Sequence, residues 1–117
     1  MDPERAREWA EILKALAHPT RLQILDTLRQ GIQCVTDIEQ ILPASQTNIS
    51  QHLAVLRNAK LVDFAQDGAV RCYYVSRPQL VNTVLETLMA EHPVARKSKD
   101  QIIEEKNQNR QKVEGRS

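Results

Sequence analysis

What this chain lacks bounds it before any motif is read. Aromatic residues are only 3% of its 117 residues, so its core must be built from Leu, Ile and Val rather than from stacked rings. The 41% apolar and 26% charged content is that of a soluble, helix-rich domain, not of a disordered chain. Cysteine occurs twice, at Cys34 and Cys72; two widely spaced thiols make neither a disulfide framework nor a complete zinc site, and they fit a reduced compartment. Neither charge dominates, since 16 Lys and Arg against 15 Asp and Glu leave a net charge of +1. Nucleic-acid binding therefore has to come from a local patch. No apolar run approaches the roughly 18 residues of a membrane span, and the opening Met-Asp-Pro-Glu-Arg lacks a signal peptide's hydrophobic segment. The expectation is a single cytoplasmic domain with no membrane partner and no internal repeat.

What is present is organised around Ser45 to Leu61. There Ile49, Leu53 and Leu56 recur at helical spacing, while Gln46, Thr47, Asn48, Ser50 and Gln51 crowd the first turns with amides and hydroxyls. A half-buried helix with such an edge suits the DNA major groove, because amides pair with an adenine edge and hydroxyls with bases or phosphates. The plainer alternative is a solvated surface turn. The flanking sequence decides between them. Trp9, Ile12, Leu13 and Leu16 share one face of a first helix that opens at Pro3 after Asp2 and ends near Ala17. His18-Pro19-Thr20 interrupts it, and Leu22, Ile24, Leu25 and Leu28 carry a second helix to about Gln30, with Gly31 as its stop. A short third helix spans about Val35 to Ile41, and Pro43-Ala44-Ser45 breaks the chain so that Ser45 or Thr47 caps the polar-edged helix. Two helices joined by a short turn outline a helix-turn-helix. Leu61 to Ala65 and Val70 to Val75 then read as strands around Asp67-Gly68. Pro78 opens a last helix with a broad stripe of Leu80, Val81, Val84, Leu85, Leu88 and Met89.

This order, mostly α with a β-hairpin wing (α-α-α-α-β-β-α), is a winged helix-turn-helix. Residues 1–92 form its DNA-binding and dimerisation domain, and residues 93–117 a charged tail with a frayed helix around Asp100 to Gln111. At Leu16-Ala17-His18-Pro19-Thr20-Arg21-Leu22-Gln23-Ile24-Leu25, Ile49-Ser50-Gln51-His52-Leu53-Ala54-Val55-Leu56-Arg57, Lys60-Leu61-Val62 and Tyr73-Tyr74, the chain resembles the ArsR/SmtB family of bacterial and archaeal repressors. The match runs from about Trp9 to Met89. The resemblance implies a homodimer, paired through its first and last helices, that blocks transcription until an effector loosens it from double-stranded DNA. The residues agree, since apolar stripes on both terminal helices exceed what one small core uses and two-fold dimers are the commonest oligomers. Such a dimer sets two recognition helices about 34–36 Å apart on an inverted-repeat operator.

The candidate DNA-binding residues are Ser45, Gln46, Thr47, Asn48, Ser50, Gln51, His52, Arg57 and Arg71. His52 stands in the family's Ser-x-His-Leu element, where it either donates to a phosphate or serves packing. Arg57 either contacts DNA or complements the helix dipole. His18, at a helix junction, reads as structural. The wing tip Gln66-Asp67-Gly68-Ala69 departs from the family pattern, being acidic at Asp67 with its first cation at Arg71, and so adds less affinity for phosphate.

Cys34 is the candidate effector-binding residue, and a thiophilic metal or metalloid the candidate ligand. Arsenic- and cadmium-type relatives carry Cys-Val-Cys there, but Thr36 replaces the second cysteine. A helix N-terminus favours the thiolate, whereas lone cysteines also serve as small buried hydrophobes. Cys72, alternating with Val70 and Tyr74, reads as a packing residue far from Cys34, too far for the roughly 7 Å limit of a disulfide. Zinc-type ligands are missing at Arg77-Pro78-Gln79-Leu80, Asp26 stands where persulfide-sensing relatives have a cysteine, and Glu86, Glu91 and His92 form only a weak alternative metal set. No motif places a general base beside a nucleophile, so the chain does not read as an enzyme. The rival reading is a winged-helix interaction module without DNA binding.

Overall fold

Helix starts follow the residues that can cap them. In a computed structural model of the chain, which describes residues 1–114, the Asp2 carboxylate accepts the Glu4 N–H at 3.2 Å ahead of α1 (Pro3–Leu16). His18 Nδ1 accepts the Thr20 N–H at 3.1 Å ahead of α2 (Pro19–Arg29). A two-residue strand, β1 (Gln33–Cys34), leads into α3 (Val35–Ile41), where the Cys34 N–H donates to Asp37 Oδ2 at 3.4 Å. Ser45 Oγ accepts the Asn48 N–H at 3.2 Å to open α4 (Gln46–Asn58). Pro3, Pro19 and Pro78 each fill an early helical position, where a missing N–H costs nothing. Then come β2 (Val62–Asp67), β3 (Val70–Val75), α5 (Pro78–Met89) and α6 (Lys99–Glu114). The order anticipated for a winged helix-turn-helix is present, with β1 and α6 in addition.

The sheet is antiparallel in the order β1-β3-β2. β1 overturns one expectation, because it sets Gln33 opposite Tyr73 and Cys34 directly opposite Cys72. The two cysteines are cross-strand neighbours rather than distant. The wing's turn also sits one residue later than Asp67-Gly68 suggests. Asp67 pairs with Val70 as the last residue of β2, so Gly68-Ala69 forms the two-residue loop. Gly68 has φ +61° while Ala69 is not among the positive-φ residues, as a type II′ turn requires.

One core joins all of this. Ala15 and Leu16 of α1, Ile24, Leu25 and Leu28 of α2, Ile38 of α3, Ile49, Leu53 and Leu56 of α4, Tyr73 of β3, and Val81 and Leu85 of α5 pack together with Leu42, Leu61 and Val62. At about 1.5–3 kcal/mol for each fully buried aliphatic side chain, this is the main force holding the helices to the sheet. The stripe of α5 is divided between two tasks, since Val81 and Leu85 serve the core while Leu88 and Met89 are each 60% exposed. Trp9 and Leu13 of α1 are likewise exposed.

α4 ends in a Schellman turn. The Lys60 N–H donates to the Arg57 carbonyl at 2.9 Å and the Leu61 N–H to the Leu56 carbonyl at 3.0 Å, with Lys60 at φ +60°. Ser76 ties the turn down, its hydroxyl donating to the Lys60 carbonyl at 2.7 Å and its N–H to the Leu61 carbonyl at 3.0 Å. Leu56 and Leu61, the apolar pair that accompanies such a cap, are fully buried. α6 is the exception to the common core. Its side chains are exposed through Lys112, and the Ser98 hydroxyl and the Gln101 side chain exchange bonds with each other's backbone N–H at its start. It is a capped helix, longer than the frayed segment anticipated.

Left-handed backbone at a lysine is strained where glycine is not, by about 1–2 kcal/mol. Lys60→Gly should therefore stabilise the fold by about 0.5–1 kcal/mol after glycine's larger unfolded-state entropy is set against that relief. Leu61→Ala should cost about 2–5 kcal/mol through the cavity it leaves. Urea denaturation measures both, and a destabilised Lys60→Gly chain would contradict the assignment of strain.

Candidate nucleic-acid interface

The polarity of α4 follows from its turn angle of about 100° per residue. Ile49, Leu53 and Leu56 point to one side and are fully buried. The opposite side then belongs to Thr47, Gln51, Ala54 and Asn58, with Gln46, Ser50 and Arg57 on the flank towards the wing and Asn48 and Val55 on the other. Gln46, Thr47, Asn48, Ser50 and Gln51 are all exposed. Among the described residues none of these five side chains is engaged in a hydrogen bond, so their donors and acceptors are free. Ser45 differs, because its oxygen already accepts the Asn48 N–H, which leaves its O–H to donate.

Between α4 and the wing lies an open cleft of about 480 Å³, lined by Gln46, Ser50 and Arg57 from the helix and by Phe64, Gln66 and Arg71 from the strands. Phe64 organises its charges. The Arg57 guanidinium carbon lies 4.3 Å from the ring centroid and that of Arg71 lies 4.4 Å from it, so two cations share one ring. Arg57 is further held by Asp63, whose Oδ1 accepts Arg57 Nε at 3.0 Å and the Phe64 N–H at 2.8 Å. The Phe64 N–H and the Arg57 guanidinium together hold the Asp63 carboxyl below its ordinary range. Sequence reading found Arg57 and Arg71 but not the ring between them, because Phe64 stands seven residues from each and no local pattern links the three.

His52 is turned away from this cleft. It is half-buried, with its ring centroid 4.3 Å from that of His18 and its Nδ1 3.3 Å from Arg21 Nη1. Since a guanidinium only donates, Nδ1 accepts and the ring proton resides on Nε2. Arg21 also donates to the Ala15 carbonyl at 2.6 Å and the Lys14 carbonyl at 3.1 Å, so it stitches the end of α1 to α4. Burial, then the charges of His18 and Arg21, push the His52 pKa down.

At Cys34 the surroundings oppose the helix N-terminus that favours its thiolate. The neighbouring Cys72 thiol and desolvation push the Cys34 thiol up to about 11. Among the described residues no three His, Cys, Asp or Glu side chains cluster closely enough to hold a metal.

A helix-turn-helix with a hairpin wing, its second helix polar on the outside, is the architecture of winged-helix DNA-binding regulators. The model of the bacterial regulatory protein, arsR family, matches residues 18–63. The biofilm growth-associated repressor of Agrobacterium fabrum is 39% identical over 87 residues, which are 74% of this chain and 74% of that protein. Among solved structures, HlyU from Vibrio cholerae superposes with a TM-score of 0.68 at 32% identity, covering 74% of this chain and 94% of that one. The transcriptional repressor BigR from Xylella fastidiosa gives 0.65 at 34% identity, covering 79% and 94%. The chain belongs to the ArsR family of transcriptional regulators, which are not enzymes. No described helix is long and apolar enough to cross a membrane.

The depressed pKa of His52 has a definite sign in stability. On acidification the unfolded chain protonates this residue first, near its ordinary 6.5. The stability it contributes is therefore complete above that value and lost as the pH falls towards the lower folded one. Between about pH 7 and about pH 5 the parent should lose more unfolding free energy than His52→Gln, whose amide can still accept from Arg21. Equal losses in denaturant titrations would show that the His18–His52–Arg21 contact does not govern the acid response.

Proposed function

We propose that this chain is a homodimeric repressor that lays α4 in the major groove of an inverted-repeat operator, with residues 1–92 as the DNA-binding and dimerisation domain and residues 93–117 as an appended tail. The observation that carries the reading is the division of α4. One side is fully buried while the opposite side and its two flanks present Gln46, Thr47, Asn48, Ser50 and Gln51, whose side chains make no internal hydrogen bond among the described residues. Thr47, Asn48 and Gln51 face base edges. Gln46, Ser50, Arg57 and Arg71 border the cleft that receives a phosphate strand, where two pre-positioned cations offset the acidic wing tip at Asp67. His52 keeps its Nε2–H as a donor beside the same helix. The cytoplasm is where such a regulator meets DNA, and an effector would act by changing the setting of the paired recognition helices.

The rival, an interaction module without DNA binding, draws on Asp67 and the net charge of +1. Salt dependence separates them. Asn48→Ala combined with Gln51→Ala should weaken operator binding by about 1–3 kcal/mol per lost base contact while leaving thermal unfolding unchanged. Arg57→Gln and Arg71→Gln should each lower the slope of log affinity against log salt by about 1, whatever the sequence bound. Affinity indifferent to salt would favour the interaction module.

The dimer is supported by the apolar residues that the subunit itself leaves outside, Trp9 and Leu13 of α1 and Leu88 and Met89 of α5. Leu85 is not among them, because it is only 4% exposed within the subunit, so its substitution would report on folding rather than on pairing. Leu13→Glu with Leu88→Glu should give folded monomers, since a carboxylate is too costly to bury unpaired. Sedimentation equilibrium on the folded variant decides the matter; an intact dimer would place the interface elsewhere.

A further inference from the structure

One pair of thiol side chains has no part in the recognition surface. Cys34 and Cys72 are free and half-buried, lie outside the hydrophobic core, and face each other directly across the β1–β3 ladder. Directly opposed residues of an antiparallel ladder share a face, with Cα atoms about 4.5–5.5 Å apart. That lies within the span of about 4.4–6.8 Å that a disulfide bridges. The backbone can also make the final adjustment, because β1 is a two-residue edge strand that follows exposed Gly31 and Ile32. On its other side Cys72 pairs with Ala65, which is exposed and small, so the adjoining position on β2 carries no bulky side chain. The closeness also shows in the electrostatics, since the neighbouring Cys72 thiol is the first cause of the raised Cys34 pKa.

We propose that Cys34 and Cys72 are a reversible dithiol–disulfide site, oxidised by a hydroperoxide to an intramolecular bridge. Because the Cys34 thiol is held protonated, the Cys72 sulfur gives up its proton and attacks the peroxide oxygen, the O–O bond breaks, and a sulfenic acid forms on Cys72 as water or an alcohol leaves. The second sulfur attacks the first, the S–O bond breaks, and the S–S bond forms with release of water. Two electrons pass from the sulfurs to the peroxide, and both thiol protons end in the released molecules. The bridge closes a loop from residue 34 to residue 72 that contains α3, α4 and β2. The whole reading head thus becomes one covalent ring, pinned where the sheet already holds it. In a reducing compartment such a bond is transient, which suits a sensor.

The inference does not depend on DNA binding, and its test uses neither operator nor effector. The full chain is treated with hydrogen peroxide and then with dithiothreitol, and followed by intact mass, thiol alkylation, peptide mapping without reduction, and thermal unfolding. Expected are the loss of two hydrogen atoms in mass, protection of both thiols, a Cys34–Cys72 cross-linked peptide within one chain, and a rise in Tm on the order of 10 °C. Dithiothreitol should reverse all four. Cys34→Ser and Cys72→Ser should each abolish the protection and the Tm rise, while the mapping on the parent chain does not depend on how well either variant folds. Two alkylatable thiols after peroxide, sulfinic acids in place of a bridge, or cross-links only between chains would each overturn the proposal.

Discussion

Burial of Ile49, Leu53 and Leu56 is the constraint on which the rest of the structure depends. Three aliphatic side chains on one side of α4, all fully removed from water, fix the helix's rotation about its own axis. Once that is fixed, every other position on the helix has an assigned direction. The polar residues face out because the apolar ones face in. The Schellman turn extends the same logic past the helix end, for Leu61 returns to the core beside Leu56 and thereby aims β2 into the wing. A slip of one residue in α4 would swing its apolar side by about 100° and expose what is now buried.

The electrostatics follow from this placement. A near-neutral chain cannot draw a polyanion by bulk charge, so whatever attraction it has must be concentrated. Phe64 provides that concentration by holding two guanidiniums from different elements over one ring. Asp63 subtracts charge, but it fixes the direction of Arg57, and a side chain already held in place loses less freedom when a phosphate arrives.

Legibility in the sequence followed the range of the contacts involved. Helix positions and starts could be read, because Asp2, Pro3, Pro19, Ser45 and Pro78 act within a turn of themselves, and the core stripes recur at a fixed period. The hairpin could be read as well, though its turn was displaced to Gly68-Ala69 because Asp67 continues the ladder. What could not be read was non-local. β1 is two residues long and carries no periodicity; it exists only because β3, nearly forty positions later, offers an edge. The neighbourhood of Cys34 and Cys72 was hidden with it, as was the Arg57–Phe64–Arg71 cluster. The Ser98–Gln101 capping pair was visible in principle, but the charged composition around it read as a tail.

That capped segment bears on how the molecule melts. α6 has 16 residues and, among its described side chains, no apolar face against the rest, and it draws the molecule out to 67 × 30 × 21 Å with a radius of gyration of 20.6 Å, where a compact chain of 100 residues has about 13 Å. Its order comes from local terms alone, such as its cap and the Lys97–Glu105 ion pair at 2.5 Å. Those terms are marginal for a helix of this length. Its helix–coil equilibrium is thus uncoupled from the cooperative transition of the core. On heating, α6 unwinds gradually while the winged helix holds, so ellipticity and near-ultraviolet signals from the core follow different curves and a two-state description applies only to the latter.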